Sequence, residues 1–248
     1  MEELFIQAAQ VLAQRGNAIA VTGAGVSVDS GIPDFRSASG IWSRYDPQEY
    51  ATLDAFEADP DRVWEMWYDL GESLSGAKPN AGHYALAELE RLGLLRTIIT
   101  QNIDNLHTEA GSVSVVEYHG NGHWVRCPAC ADVHPFSLDQ RMGGAPRCAC
   151  GSAMKPDVVL FGEIIPPSAL ARANAAAMSC DTVIIVGTSA TVYPAAQIPF
   201  TAKEHGACII ECNIERTEFT DSITDFFLQG PAAQTLPELV RRIGEVEL

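Results

Sequence analysis

No apolar run in this chain is long enough to cross a membrane; the longest, such as Thr182-Val183-Ile184-Ile185-Val186, have the length of a buried strand. The opening residues Met1-Glu2-Glu3-Leu4-Phe5 lack the basic and apolar regions of a secretory leader, so a cytoplasmic location is expected, with no membrane partner. Positive charge is scarce. Sixteen Lys and Arg stand against 32 Asp and Glu, a net charge of −16, which argues against the basic stripe of a duplex nucleic-acid binder. An acidic surface steers basic partners such as lysine-rich segments at long range, and it equally serves solubility. Repeats, low-complexity tracts and coiled-coil heptads are also missing. What remains is an ordinary globular composition, 47% hydrophobic and 19% charged over 248 residues, which suits one large α/β domain carrying a small insert.

The chain alternates strand and helix patterns. Leu4, Phe5, Ala8, Ala9 and Leu12 share one face of a helix over about 1–15, followed by an apolar strand Ala18–Val21. The strand runs into Gly23-Ala24-Gly25, and a further helix is expected after it, as in a nucleotide-binding βα unit. A helix is expected through 51–75 and another from Asn80 to Leu92. Strands are expected at Leu95–Thr100, Val158–Phe161, Thr182–Val186 and Ala207–Glu211, with helices over Pro167–Met178 and Pro194–His205. Such alternation implies a parallel sheet covered on both faces.

Between Trp124 and Lys155 helical periodicity vanishes and Cys, Pro and Gly concentrate. Four of the seven cysteines lie there: Cys127 and Cys130 as C-x2-C, then Cys148 and Cys150 as C-x-C. Four thiolates at this spacing imply one tetrahedral zinc ion, and a closed four-sulfur site leaves no position for water, so the metal is structural. Cys180, Cys208 and Cys212 sit in apolar company and read as buried thiols.

The glycine pair alone fits either a tight turn or a cofactor loop, since Val28 occupies the third position of G-x-G-x-x-G. His119 is one of six histidines, placed at a strand end where catalytic groups collect, with a pKa suited to a general base. Gln101-Asn102-Ile103-Asp104 also follows a strand end, where the same residues could simply turn the chain and cap a helix.

The run from Gly23 through Ser27, Ile32, Asp34 and Phe35 to Arg36 resembles the first signature of the sirtuin family, and Thr100-Gln101-Asn102-Ile103-Asp104-Asn105-Leu106-His107 resembles the second. His119-Gly120, the cysteine cluster, Val158–Glu163, Gly187-Thr188-Ser189 and Asn213 follow in family order, so the resemblance covers about 7–240 and is of the bacterial and archaeal type. It implies a Rossmann-like NAD-binding catalytic domain at about 1–123 and 156–248, with a helical portion at about 37–80 and a zinc-binding module at about 124–155.

The implied activity is NAD-dependent protein-lysine deacylation, which releases nicotinamide and 2′-O-acyl-ADP-ribose. His119 would deprotonate the ribose, and Asn102 would position a water and the ribose. Gly23, Ala24, Gly25, Ser27, Ile32, Asp34, Phe35, Arg36 and Gln101 would hold NAD, with Ile103 and Asp104 on the nicotinamide carboxamide. Gly187, Thr188 and Ser189 would contact phosphate and ribose; Asn213, Ile214, Glu215 and Ala232 the adenosine. Val159, Phe161, Gly162, Glu163, Val192 and Tyr193 would flank an acyl-lysine peptide bound as an added strand to a monomeric enzyme. The family's C-x2-C second half is C-x-C here. Family members that remove acidic acyl groups carry a Tyr-x-x-Arg pair, and this chain has Trp67 and Leu70 at those positions. A buried carboxylate would lack its charged partner, so acetyl or longer apolar groups are expected. ADP-ribosyl transfer or NAD hydrolysis at the same site is the alternative, and a non-catalytic binding module is a third reading.

Overall fold

The structure, a computed structural model, describes residues 2–35 and 40–246. Every residue of the strand β1 (Ala18–Thr22) is buried, and alternate side chains feed two different cores. Ala18 and Ala20 face the helices Glu2–Arg15, Ala81–Arg91 and Ala232–Ile243; Ile19 and Val21 face Pro167–Ser179 and Gln197–Glu204. β2 (Leu95–Thr100), β3 (Val115–Glu117), β7 (Thr182–Val186), β8 (Cys208–Asn213) and β9 (Phe226–Gln229) complete a six-stranded, wholly parallel sheet. Its order, β3-β2-β1-β7-β8-β9, is that of a doubly wound dinucleotide-binding sheet, and the order in which strands are added reverses between β1 and β7. A crevice therefore opens beyond Thr22 and Val186.

β4 (Gly120–Arg126), β5 (Val133–Pro135) and β6 (Lys155–Val158) form a separate antiparallel sheet in the order β5-β4-β6. A third core joins it to the helix Pro60–Gly76: the Trp64 indole donates to the Met154 carbonyl at 2.9 Å, and Tyr68 donates to Gly144 at 2.8 Å. Phe136 packs between them, 5.6 Å from Trp64 and 5.9 Å from Tyr68. Among the described residues no helix is long and apolar enough to cross a membrane.

Four expectations need correction. The segment after Gly25 makes two 3-10 turns, Ala24–Val26 and Val28–Ser30, in place of an α-helix. The helix expected through 51–75 is two helices, Leu53–Ala58 and Pro60–Gly76. Pro60 cannot continue the first, and the Asp59 carboxylate caps the second by accepting from Arg62 N–H. The strand expected at Val158–Phe161 lies earlier, at Lys155–Val158, and pairs with β4 instead of joining the parallel sheet. Finally, β9 and the helix Ala232–Ile243 have no counterpart in the periodicity reading; the helix carries Pro237 in its interior, which masks the apolar stripe Leu236, Leu239 and Ile243.

Candidate active site and metal centre

A cavity of about 820 Å³ occupies the crevice between β1 and β7, a volume suited to a dinucleotide or other drug-sized ligand. Two glycine loops form its floor. Gly23 N–H donates to the Val186 carbonyl at 3.0 Å and Gly25 N–H to the Gly187 carbonyl at 2.9 Å. The loops approach so closely that a Cβ on Gly25 would lie 2.7 Å from Gly187 Cα. Gly187 adopts φ +56°, where glycine alone is unstrained, and its own Cβ would lie 2.5 Å from Gly25 C. The glycines are thus needed for loop against loop.

His119 lines the cavity at the end of β3, and its Nδ1 donates to the Gln101 carbonyl at 3.1 Å. A carbonyl only accepts, so Nδ1 carries the proton and Nε2 keeps its lone pair. Burial pushes the His119 pKa below its usual value, and the Gln101 carbonyl opposes that shift. The ring is therefore a neutral base at neutral pH. Gln101 also donates its amide to Thr188 Oγ1 at 3.0 Å, which couples the β2 loop to the β7 loop.

Behind the cavity wall Ser27 organises the second motif. Its hydroxyl donates to Asp104 Oδ2 at 2.6 Å and accepts from Asn102 Nδ2 at 3.1 Å. His83 Nδ1 accepts from Asn80 N–H at 3.2 Å, which leaves Nε2–H to face Ser27 at 3.4 Å. Asp104 Oδ1 meanwhile accepts from Leu106 N–H at 3.0 Å, at the start of the short helix Leu106–Glu109. Asn102 reaches the cavity, while Ser27, Ile32 and Asp104 stand behind its lining.

The far end of the cavity is apolar. Phe35 and Trp42 lie 5.3 Å apart, Trp42 and Phe161 6.3 Å apart, and Met66 and Trp67 line the same end. Leu70 is buried in the core one turn further along and does not reach the lining. Val159, Phe161, Gly162 and Glu163 form one rim and Val192 and Tyr193 another. At the opposite end Asn213, Ile214, Glu215 and Ala232 line the cavity; Asn213 Nδ2 donates to the Thr188 carbonyl at 2.9 Å. Asp34 lines it too, Gly23, Ala24, Gly187, Thr188, Ser189 and Ile103 with it, whereas Arg36 lies outside the described residues. Sequence reasoning missed Trp42, Met66, Arg216 and His83. Only Trp42 and Met66 gave a signal, as apolar residues beside the first motif and on the face that carries Trp67.

The sulfur atoms of Cys127, Cys130, Cys148 and Cys150 lie within 4.8 Å of one another, with Cys127–Cys150 and Cys130–Cys148 each at 3.5 Å. Sulfurs about 2.3 Å from a central zinc stand about 3.8 Å apart at tetrahedral corners, so the four thiols fit one such ion. The C-x-C half still closes the set because Gly151, at φ +91°, turns the chain back so that Gly151 N–H donates to the Cys148 carbonyl at 2.8 Å.

Comparisons with known proteins agree with this geometry. The sequence model of the Sir2 family matches residues 23–194. The NAD-dependent protein deacylase of Pyrococcus furiosus is 46% identical over 246 residues, covering 97% of this chain and 98% of that protein. The NAD-dependent protein deacylase 1 of Archaeoglobus fulgidus is 43% identical over 235 residues, with 94% and 96% covered. Among solved structures, a Sir2 homologue in complex with NAD superposes with TM-score 0.90 at 42% identity, covering 96% of this chain and 93% of the other. Sir2Af2 bound to a myristoylated histone peptide superposes with TM-score 0.83 at 38% identity, over 99% and 98%.

Proposed function

The chain belongs to the Sir2 family and is an NAD-dependent protein deacylase; we propose that His119 is its general base and that its acyl preference is apolar. The observation that carries this is the His119 imidazole, neutral and fixed by Gln101, in the wall of a cavity at the switch point of a dinucleotide-binding sheet. When bound, NAD supplies the ADP-ribosyl group that takes the acyl from lysine, with nicotinamide as leaving group. Gly23, Gly25, Gln101, Thr188 and Asn213 suit that dinucleotide, since small residues that admit close approach and tethered amide side chains line one wall of the cavity. Asn102 faces the reacting sugar, with Ser27, itself held by Asp104, accepting from its amide behind. Phe35, Trp42 and Phe161 exclude water, which suppresses hydrolysis.

The four cysteines hold a structural zinc in a module at about 124–155, distinct from the catalytic domain. The substrate is an acyl-lysine segment of a protein, bound as an extended strand along Val159–Glu163 and Val192-Tyr193. The charge of −16 favours basic segments over nucleic acid, and we take the enzyme to act in the cytoplasm as a monomer.

Trp67 and Leu70 carry no cation, so neither would pair a terminal carboxylate at the apolar end. Comparison of kcat/KM on acetyl-, myristoyl- and succinyl-lysine peptides tests this. Acetyl or myristoyl should exceed succinyl by about 10²-fold or more, the equivalent of about 3 kcal/mol for an unpaired buried charge; a preference for succinyl overturns it.

A further inference from the structure

Lys155 is a buried cation outside every role assigned above. It opens β6, and its ammonium donates to the Pro156 carbonyl at 3.1 Å, to the Val158 carbonyl, and to Glu163 Oε2 at 2.9 Å. The same carboxylate oxygen accepts from Leu160 N–H at 2.7 Å, and Glu163 N–H returns to the Leu160 carbonyl at 3.0 Å. All three acceptors of the ammonium therefore belong to the one segment, 156–163, which curls around it. Glu163, a cavity-rim residue, spends its carboxylate on this closure.

The outer edge of that segment is tied on two sides. Val159 N–H donates to the carbonyl of His119 at 2.9 Å. Phe161 donates to the Ala51 carbonyl and accepts from Leu53 N–H, both at 2.9 Å. Gly162, at φ +90° on the cavity rim, makes no main-chain hydrogen bond within the described chain. The brace thus sets the height of a rim on which Gly162 keeps its main-chain groups unbonded within the described chain, and it hangs from the sheet whose strand β4 leads into Cys127.

We propose that Lys155, acting through Glu163, is a positioning residue for the peptide substrate: the buried pair fixes the turn 159–163 so that an acyl-lysine strand docks beside His119. This rests on the deacylase reading. The dinucleotide wall lies on other loops, at Gly23–Gly25, Gly187–Ser189 and Asn213, so the brace acts on peptide and leaves NAD alone.

Steady-state kinetics on one acetyl-lysine peptide, with peptide and NAD varied separately, test it. Lys155→Met leaves the Glu163 carboxylate half-buried without its cation, and KM for peptide should rise about ten- to hundredfold, the scale of one charge-assisted hydrogen bond. KM for NAD should stay within about twofold, as dinucleotide contacts are not touched. Lys155→Arg keeps the charge and several donors and should restore most of the peptide affinity. Should Lys155→Met fail to fold, Glu163→Gln, which removes the charge yet keeps an acceptor for Leu160 N–H, must show the same split. An unchanged peptide KM, or equal rises for peptide and NAD, overturns the brace. A wild-type enzyme that leaves the acetyl peptide intact overturns the deacylase reading instead.

Discussion

The His107 imidazole is held neutral in the core beside the β1–β2 seam. Thr22 Oγ1 donates to Thr100 Oγ1 at 2.9 Å and so accepts from His107 Nε2–H, also at 2.9 Å, while Nδ1 has no partner among the described residues. Thr100 Oγ1 in turn accepts from Asn102 N–H at 3.0 Å, so this chain of hydroxyls reaches the Gln101–Asp104 loop. Burial, with the His83 ring 4.9 Å away as a second cause, lowers the His107 pKa from 6.5 to about 3. The folded pKa lies below the unfolded one, so the unfolded chain binds the proton first as pH falls. Stability is full above 6.5 and is lost between 6.5 and about 3, by roughly 2 kcal/mol at pH 5 from this residue alone. His107→Asn should flatten that slope in urea titrations at pH 7 and pH 5; an unchanged slope contradicts the account. The sequence showed His107 only as the last letter of a motif, because its titration depends on neighbours that strand pairing supplies. His119 stood out as a candidate base at a strand end and by family resemblance, whereas His83 looked like any helical residue until Ser27 stood opposite it.

At the scale of elements, the close contact of the Gly23–Gly25 loop with Gly187 decides the shape of the cavity floor. The sequence signalled a glycine turn after β1 but pointed to an α-helix beyond it, where the chain makes 3-10 turns. The partner loop, with Gly187 lying 162 positions beyond Gly25 (187 − 25), is not readable from local pattern. Gly25→Ala forces main chain against main chain and should cost about 1–3 kcal/mol of stability as overpacking does. It should also weaken NAD binding at least tenfold in calorimetry. Retention of both stability and affinity would show that the interlock is not needed. The break at Asp59-Pro60 was readable as a cap and a first turn, yet a single helix was expected through 51–75. β9 was not, since Phe226 and Phe227 are only partly buried and the strand is four residues long.

Across the whole molecule, three cores meet around one crevice. Two lie on the faces of the parallel sheet, and the third ties the helical segment to the antiparallel sheet beside the four cysteines. Alternating strands and helices announced the parallel sheet, and cysteine spacing announced the metal module. The order of strands was beyond sequence, because the reversal between β1 and β7 is a matter of which edges pair over a long separation. That reversal brings residues from 23, 101, 119, 187 and 213 to one wall. The account therefore stands on catalysis at the switch point by His119. Mass spectrometry of an acetyl-lysine peptide incubated with NAD and enzyme tests it most directly. The wild type should release free lysine peptide, nicotinamide and O-acetyl-ADP-ribose together, and His119→Ala should lower the rate about 10²–10⁴-fold, as loss of a general base does. A His119→Ala enzyme that deacetylates at the wild-type rate, or a wild type that yields ADP-ribose without deacetylated peptide, would contradict it.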